Sequence, residues 1–376
     1  MRVLTVIGTR PEIIRLSRII PELDKHYDHL VAHTGQNYSP ELHDIFYEDL
    51  KLRKPDLFMN AARETASATI AAVIEETDKI IRKVRPDAFF VLGDTNSAMS
   101  VIAAKKNRIP IFHMEAGNRC FDMRVPEECN RILVDHASDV NMTYSERARS
   151  YLLAEGLKPE CIICTGSPLL EVIEYNTRRI EQSSALKRFG VEPGKYLIAS
   201  MHREENVDDP DRLRTLINTL QALAEDVGKP IIITVHPRTR KRLEELGIGH
   251  MDGAAIVFSE PLKYSDYIVM QKNAFCVVSD SGTVTEESAM LGFPAVTIRD
   301  THERPEGTDF GVLVMTGIGK EEVLQGVRVV TAANSNGSRK RECPEEYMRR
   351  DVANTVARTI ASYTHYVNRV VWHKAP

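Results

Sequence analysis

Three carboxyls in the first half of this sequence sit where proton transfer would need them. Asp94 lies in Gly93-Asp94-Thr95 and Glu115 in Glu115-Ala116-Gly117, each directly after an apolar run, and Glu127 lies in Pro126-Glu127-Glu128. A carboxyl at the end of a buried strand is costly unless it has a partner or a task, so removal and return of a proton is the chemistry these positions offer. Ion pairing with Arg119, Arg124 or Arg131, all close in sequence, is the competing reading. His202, in His202-Arg203-Glu204-Glu205-Asn206, also follows an apolar run, and there it can donate to a phosphate or act as the acid for a leaving group.

Two further clusters read as anion sites. Gly8-Thr9-Arg10-Pro11-Glu12 stands between a strand and a helix: Pro11 suits the first helical turn, Thr9 can cap it, and Arg10 adds a cation to the helix N-terminus. Asp280-Ser281-Gly282-Thr283 repeats the pattern, with hydroxyls and close backbone amides at a helix start. Glu287 falls within the next two turns and could accept from ribose hydroxyls, while Glu286 fits a capping or helix-dipole role equally well. Two such sites imply a nucleoside diphosphate carrying a sugar. Neither a Walker A loop nor G-x-G-x-x-G occurs, which disfavours a dinucleotide cofactor. His113-Met114-Glu115 lacks a downstream P-C-x-x-C and there is no H-E-x-x-H, so no metal site is expected; Cys161 and Cys164 read as strand cysteines rather than a zinc or redox pair.

Short β-branched runs alternating with longer amphipathic stretches must position these residues. The runs are Val3–Ile7, Leu30–His33, Ala88–Leu92, Ile109–Met114, Val140–Tyr144 and Cys161–Thr165, then Tyr196–Met201, Pro230–Val235, Ala254–Phe258, Phe275–Ser279, Pro294–Ile298 and Val312–Met315. Their continuous apolar character suits parallel strands buried on both faces, and the chain reads as two Rossmann-like, doubly wound α/β domains. The expected division is 1–170 and 171–362, with 363–376 packing back on the first domain, a link across Gly166–Gly194, and a polar loop over Asn334–Glu342. Open parallel sheets bind ligands beyond the carboxyl ends of their strands, which is where the polar clusters fall, His236-Pro237 included. With Lys plus Arg 49 against Asp plus Glu 53, the net charge of −4 offers no electrostatic footprint for nucleic acid or for an anionic membrane. No apolar run approaches the roughly 20 residues of a membrane helix, and the short apolar start lacks a signal-peptide core, so a cytoplasmic protein is expected.

Taken in order, Gly8-Thr9-Arg10-Pro11-Glu12, Gly93-Asp94-Thr95, Glu115-Ala116-Gly117, Pro126-Glu127-Glu128 with Asn130-Arg131, His202-Arg203, Asp280-Ser281-Gly282, Glu286-Glu287 and Glu303-Arg304-Pro305-Glu306 resemble the UDP-N-acetylglucosamine 2-epimerase family over most of the chain. Arg15, the run Asn118-Arg119-Cys120-Phe121-Asp122, His202–Asn206 and Gly282-Thr283 resemble its UDP-N-acetyl-L-fucosamine synthase branch; many glucosamine epimerases carry lysine, leucine and glycine where Arg15, Asn118 and Thr283 stand. The resemblance implies a GT-B arrangement with the active site in the interdomain cleft, a homodimer and no cofactor. It implies inversion at C2 of a UDP-N-acetyl amino sugar by elimination of UDP and re-addition, in capsule or O-antigen synthesis. The implied substrate is UDP-2-acetamido-2,6-dideoxy-L-talose, with UDP-N-acetylglucosamine and a GT-B glycosyltransferase as the alternatives. By motif match Asp94, Glu115 and Glu127 surround the sugar in the first domain, while Arg10, His202, Ser281 and Glu287 bind UDP. Arg15 adds a cation, Gly282 and Thr283 add backbone amides, and Arg304 a further diphosphate or sugar contact.

Overall fold

Alternate residues of the apolar runs face opposite sides of a sheet, and both sides are covered. Leu197, Ala199, Ile231, Ile233 and Val278 pack into one cluster, whereas Tyr196, Ile198, Ile232 and Val277 pack into another. That is why the runs are continuous rather than alternating. The computed structural model describes residues 1–36, 40–235, 237–248, 255–335 and 343–374.

The first sheet comprises β1 (Arg2–Ile7), β2 (Asp28–His33), β3 (Leu57–Phe58), β4 (Ala88–Leu92), β5 (Ile111–Met114), β6 (Val140–Thr143) and β7 (Ile162–Cys164). Its order is β3-β2-β1-β4-β5-β6-β7, with every pairing parallel. The second comprises β8 (Leu197–Ser200), β9 (Ile231–Thr234), β10 (Ile256–Ser259), β11 (Cys276–Ser279), β12 (Ala295–Thr297) and β13 (Val314–Met315), in the order β10-β9-β8-β11-β12-β13, again parallel throughout. The fold class read from sequence, two doubly wound Rossmann-like sheets, is the one observed. Strand β3 was not foreseen: two residues pairing with the end of β2 leave no periodic signal.

In each sheet the strand order reverses beside its first strand, between β1 and β4 and between β8 and β11. Such a switch point opens a crevice because the two flanking connections leave on opposite faces. The loops bordering the first carry Arg10 and Asp94; those bordering the second carry His202 and Ser281.

The chain divides differently from the expected boundaries. One compact unit is Met1–Tyr175 with Glu345–Pro376, and the other is Asn176–Pro344. The break therefore falls inside the helix Leu169–Glu181, not at a loop. Residues 345–362, expected in the second domain, belong with the first. The cause is the amphipathic helix Val352–Val370, whose start is held by the Glu171 carboxylate accepting from the Val352 and Ala353 amides. Further along, Tyr27 donates to Ala357 O at 2.6 Å and Tyr363 to Glu160 O at 2.6 Å. The expected loop over 334–342 begins inside the helix Lys320–Ser335 and otherwise lies outside the described residues, as does His236.

Candidate active site

In the first unit the turn after β1 is built around a glycine and a buried carboxyl. A Cβ on Gly8 would stand 2.0 Å from Ser97 Oγ and 2.2 Å from Thr34 Oγ1, so only glycine fits. Thr9 caps the helix Arg10–Leu16, and Glu12 turns back to accept from the Gly8 amide at 2.5 Å and the Thr9 amide at 3.2 Å. Thr95, from the loop after β4, donates its hydroxyl to the other Glu12 oxygen at 2.6 Å. Glu12 thus ties the Arg10 turn to the Asp94 turn. Burial pushes its carboxyl up to about 7 against the pull of the Thr95 hydroxyl and the two amides. The Arg10 guanidinium stands 5.8 Å from the centre of the Phe46 ring, and burial pushes it below its ordinary pKa.

Asp94 is held by Arg131, which reaches it at 2.7 Å and reaches Glu128 at 2.9 Å. Asn130 donates to the Asp94 carbonyl at 3.0 Å. Both partners come from the helix Pro126–Ala137, whose first turn carries Glu127, so Asp94 and Glu127 are joined by one rigid element. The ion-pairing reading of Asp94 is therefore correct as to partner; a paired carboxylate with 22% of its side chain exposed still faces solvent and any ligand there.

Glu115 adopts φ +68°, a left-handed conformation rare for a residue with a Cβ and found where the surroundings over-determine it. Arg15 Nε lies 3.5 Å from Glu115 Oε2, and the Asn118 side chain donates to Oε1 at 3.4 Å. Arg15 is buried and stacked 5.3 Å from the Tyr144 ring centre, which fixes its approach.

The second unit gathers His202, Ser281, Gly282 and Arg304 around a different centre. Asp280 is wholly buried and accepts from the amides of His202 and Arg203, each at 3.0 Å. His202 Nδ1 lies 3.0 Å from the Asp280 carboxylate on a half-exposed ring, which leaves Nε2 to meet a ligand. Burial alone would raise Asp280; the His202 imidazole and these amides outweigh it and hold the carboxyl down at about 2.

Arg304, for which a surface turn was the competing reading, is buried. Its guanidinium pairs with Glu286 at 3.0 Å and Glu303 at 2.8 Å, and Glu303 also takes Arg299 at 2.6 Å. A Cβ on Gly282 would come within 2.2 Å of both Arg304 and Glu303, so the glycine is what lets the arginine reach the helix start. Glu286 is thus an arginine partner and not a cap. Glu287, one residue on, accepts from Gln271 at 2.6 Å. The amides of Ser281 and Thr283, expected to face a phosphate, each also meet a local hydroxyl. They donate to the hydroxyls of Ser279 at 3.0 Å and Ser281 at 3.3 Å, since a serine hydroxyl can accept from the amide two residues on.

The residues whose partner role sequence reasoning passed over are Glu12, Glu128, Asp135, Asp280, Arg299 and Glu303. Several stood inside recognised motifs, but nothing in their spacing indicated which carboxylate each would meet.

Two parallel, doubly wound sheets, each with its strand order reversing at a switch point, define a protein of the GT-B fold class. The family described as UDP-N-acetylglucosamine 2-epimerase matches residues 21–361. The structure of UDP-N-acetylglucosamine 2-epimerase from Rickettsia bellii is 45% identical, with a TM-score of 0.93 and 100% of both chains covered. That of Methanocaldococcus jannaschii UDP-GlcNAc 2-epimerase, in complex with UDP-GlcNAc and UDP, is 33% identical, with a TM-score of 0.89 over 96% of this chain and 100% of that one. A UDP-2,3-diacetamido-2,3-dideoxy-D-glucuronate 2-epimerase of Pseudomonas aeruginosa is 31% identical over 87% of this chain and 92% of its own length. A UDP-glucosyltransferase from Polygonum tinctorium, 12% identical at a TM-score of 0.56 over 95% of this chain and 98% of that one, shares the fold alone. The chain belongs to the UDP-N-acetylglucosamine 2-epimerase family, and it is an isomerase, a UDP-sugar 2-epimerase.

Proposed function

We propose that the enzyme inverts C2 of UDP-2-acetamido-2,6-dideoxy-L-talose to give UDP-N-acetyl-L-fucosamine. A carboxylate among Asp94, Glu115 and Glu127 takes the C2 proton. The C1–O bond breaks with its electron pair leaving on UDP, and a 2-acetamidoglycal results. A proton then returns to C2 from the opposite face as a UDP oxygen re-forms the bond to C1. Arg10, Arg304, the Ser281 hydroxyl and His202 neutralise the departing diphosphate, His202 also serving as acid; Arg15, Gly282, Thr283 and Glu287 complete the substrate contacts. Interactions that strengthen as charge develops on the leaving group are those that accelerate its departure.

The observation that carries the choice of sugar is local. Arg15 and Asn118, two residues that set this chain apart from many glucosamine epimerases, are the side chains seen on Glu115. A carboxylate gripped by arginine and an amide differs in direction from one beside lysine and leucine. UDP-N-acetylglucosamine, the substrate named in the bound relative, is the second reading. A homodimer, a cytoplasmic setting and a place in capsule or O-antigen synthesis complete the proposal. Among the described residues no helix is long and apolar enough to cross a membrane. Proton NMR in D₂O with each UDP-sugar in a separate tube decides the substrate. Deuterium at C2 with inversion of the L-sugar alone is expected; inversion of the glucosamine compound alone would overturn the branch, and no exchange in either tube would return the transferase reading.

A further inference from the structure

The turn that presents Glu115 is anchored from beneath by a buried charged cluster with no part in the chemistry above. Asp135, wholly buried on the helix Pro126–Ala137, accepts the Gly117 amide on both oxygens, at 3.3 and 3.2 Å, and Arg119 Nη1 at 2.6 Å. His113, also wholly buried, has Nδ1 2.9 Å from Asp135, and its Nε2 lies 2.9 Å from the carbonyl of Gly93, the residue before Asp94. Arg119 additionally donates to the Asn118 carbonyl at 2.7 Å and holds Glu155 through two nitrogens at 2.8 and 2.7 Å. Asn118 is the residue whose amide touches Glu115.

Two left-handed positions flank Ala116: Glu115 at φ +68° and Gly117 at φ +80°. A Cβ on Gly117 would meet Ala148 O at 2.4 Å, so this backbone is pressed against its neighbour and cannot drift that way. A non-glycine residue stays left-handed only where the surroundings hold it. The Gly117 amide on Asp135 is the charge-assisted bond that does so, since a carboxylate is a stronger acceptor than a carbonyl. A fully buried carboxylate is itself costly, and its cost is offset here by Arg119 and the His113 ring.

We propose that Asp135 is a positioning residue for Glu115: through the Gly117 amide it holds the Glu115 backbone left-handed, so that the carboxylate faces Arg15 and the sugar C2. The proposal rests on Glu115 being one of the proton-transferring carboxylates. Release of the amide lets the turn relax and shifts the carboxylate, and misplacement by about 1 Å costs on the order of 10²-fold in rate.

A double-mutant cycle on C2 deuterium exchange and on kcat tests it, with UDP affinity as the control. D135N lowers the exchange rate on the order of 10²-fold in the wild-type background while UDP binding changes by less than about threefold. In the E115Q background, or E115D where E115Q lies below detection, D135N adds less than about threefold, because the group it positions is already gone or misplaced. Should D135N fail to fold, Asp135→Asn combined with Arg119→Gln removes both charges together and serves in its place. Losses that multiply in the two backgrounds, or a D135N enzyme within about threefold of wild type, overturn the positioning role. A wild-type enzyme that exchanges no C2 proton overturns the epimerase reading itself, and the proposal with it.

Discussion

The two units solve opposite electrostatic problems with the same architecture. In the first, the proposed working groups are carboxylates, held by arginines: Arg131 on Asp94, Arg15 on Glu115. In the second, the proposed working groups are arginine and histidine, held by carboxylates: Glu286 and Glu303 on Arg304, Asp280 on His202. On the proposed reading, the sign of the buried partner separates a group that moves a proton from one that binds an anion. A carboxylate held in place can accept a proton, while an arginine fixed by two glutamates waits in place for a diphosphate without reorganising when charge develops.

If this division holds, damage to one unit leaves the other's task intact. The largest effect is expected from E115Q, which lowers C2 exchange by on the order of 10³-fold with UDP affinity nearly unchanged by calorimetry. A comparable loss of UDP binding would break the division.

Next comes the pH dependence of stability, where the two units differ in sign. Glu12 in the first unit titrates near 7 in the folded state against 4.5 ordinarily, so its contribution is fully present below about 4.5 and is lost as pH rises through 7. The loss amounts to about 3 kcal/mol. Urea unfolding between these limits should show this slope in the wild type, and E12Q should flatten it. Asp280 in the second unit titrates near 2 against 3.8, so its contribution is present above about 3.8 and is lost as pH falls through 2. That loss is about 2 kcal/mol, and D280N should flatten the acid limb while leaving the neutral limb alone.

The smallest effect is expected from G282A. Its Cβ displaces Arg304 and Glu303, and UDP affinity by calorimetry falls about tenfold, near 1.4 kcal/mol. Exchange at saturating substrate should hold within a few-fold; a collapse in kcat would place Arg304 in the chemical step and sharpen the comparison the other way.

Much of this was legible from residue types alone. Asp94 and Glu115 stood out because each follows a buried strand, and Gly8 and Gly282 because each precedes a helix. Not legible was that the Ser281 and Thr283 amides would each meet a serine hydroxyl two residues back, a local bond that spacing does not announce. The domain boundary failed because the helix Val352–Val370 is amphipathic wherever it docks, and periodicity names a buried face without naming the surface that buries it.

The sequence by itself determined the alternation of strand and helix, the glycines that admit close approach, and the chemical types waiting at the strand ends. These follow from local sterics and from the pairing of apolar runs with buried strands. Only the tertiary structure decided which charge meets which: that Arg131 goes to Asp94 while Arg119 goes to Asp135, that Glu286 serves Arg304 while Glu287 serves Gln271, and that Glu115 is left-handed. The physical reason is that ion pairs and backbone strain depend on distances of a few ångströms between residues far apart in the chain, and no spacing along the chain encodes those distances.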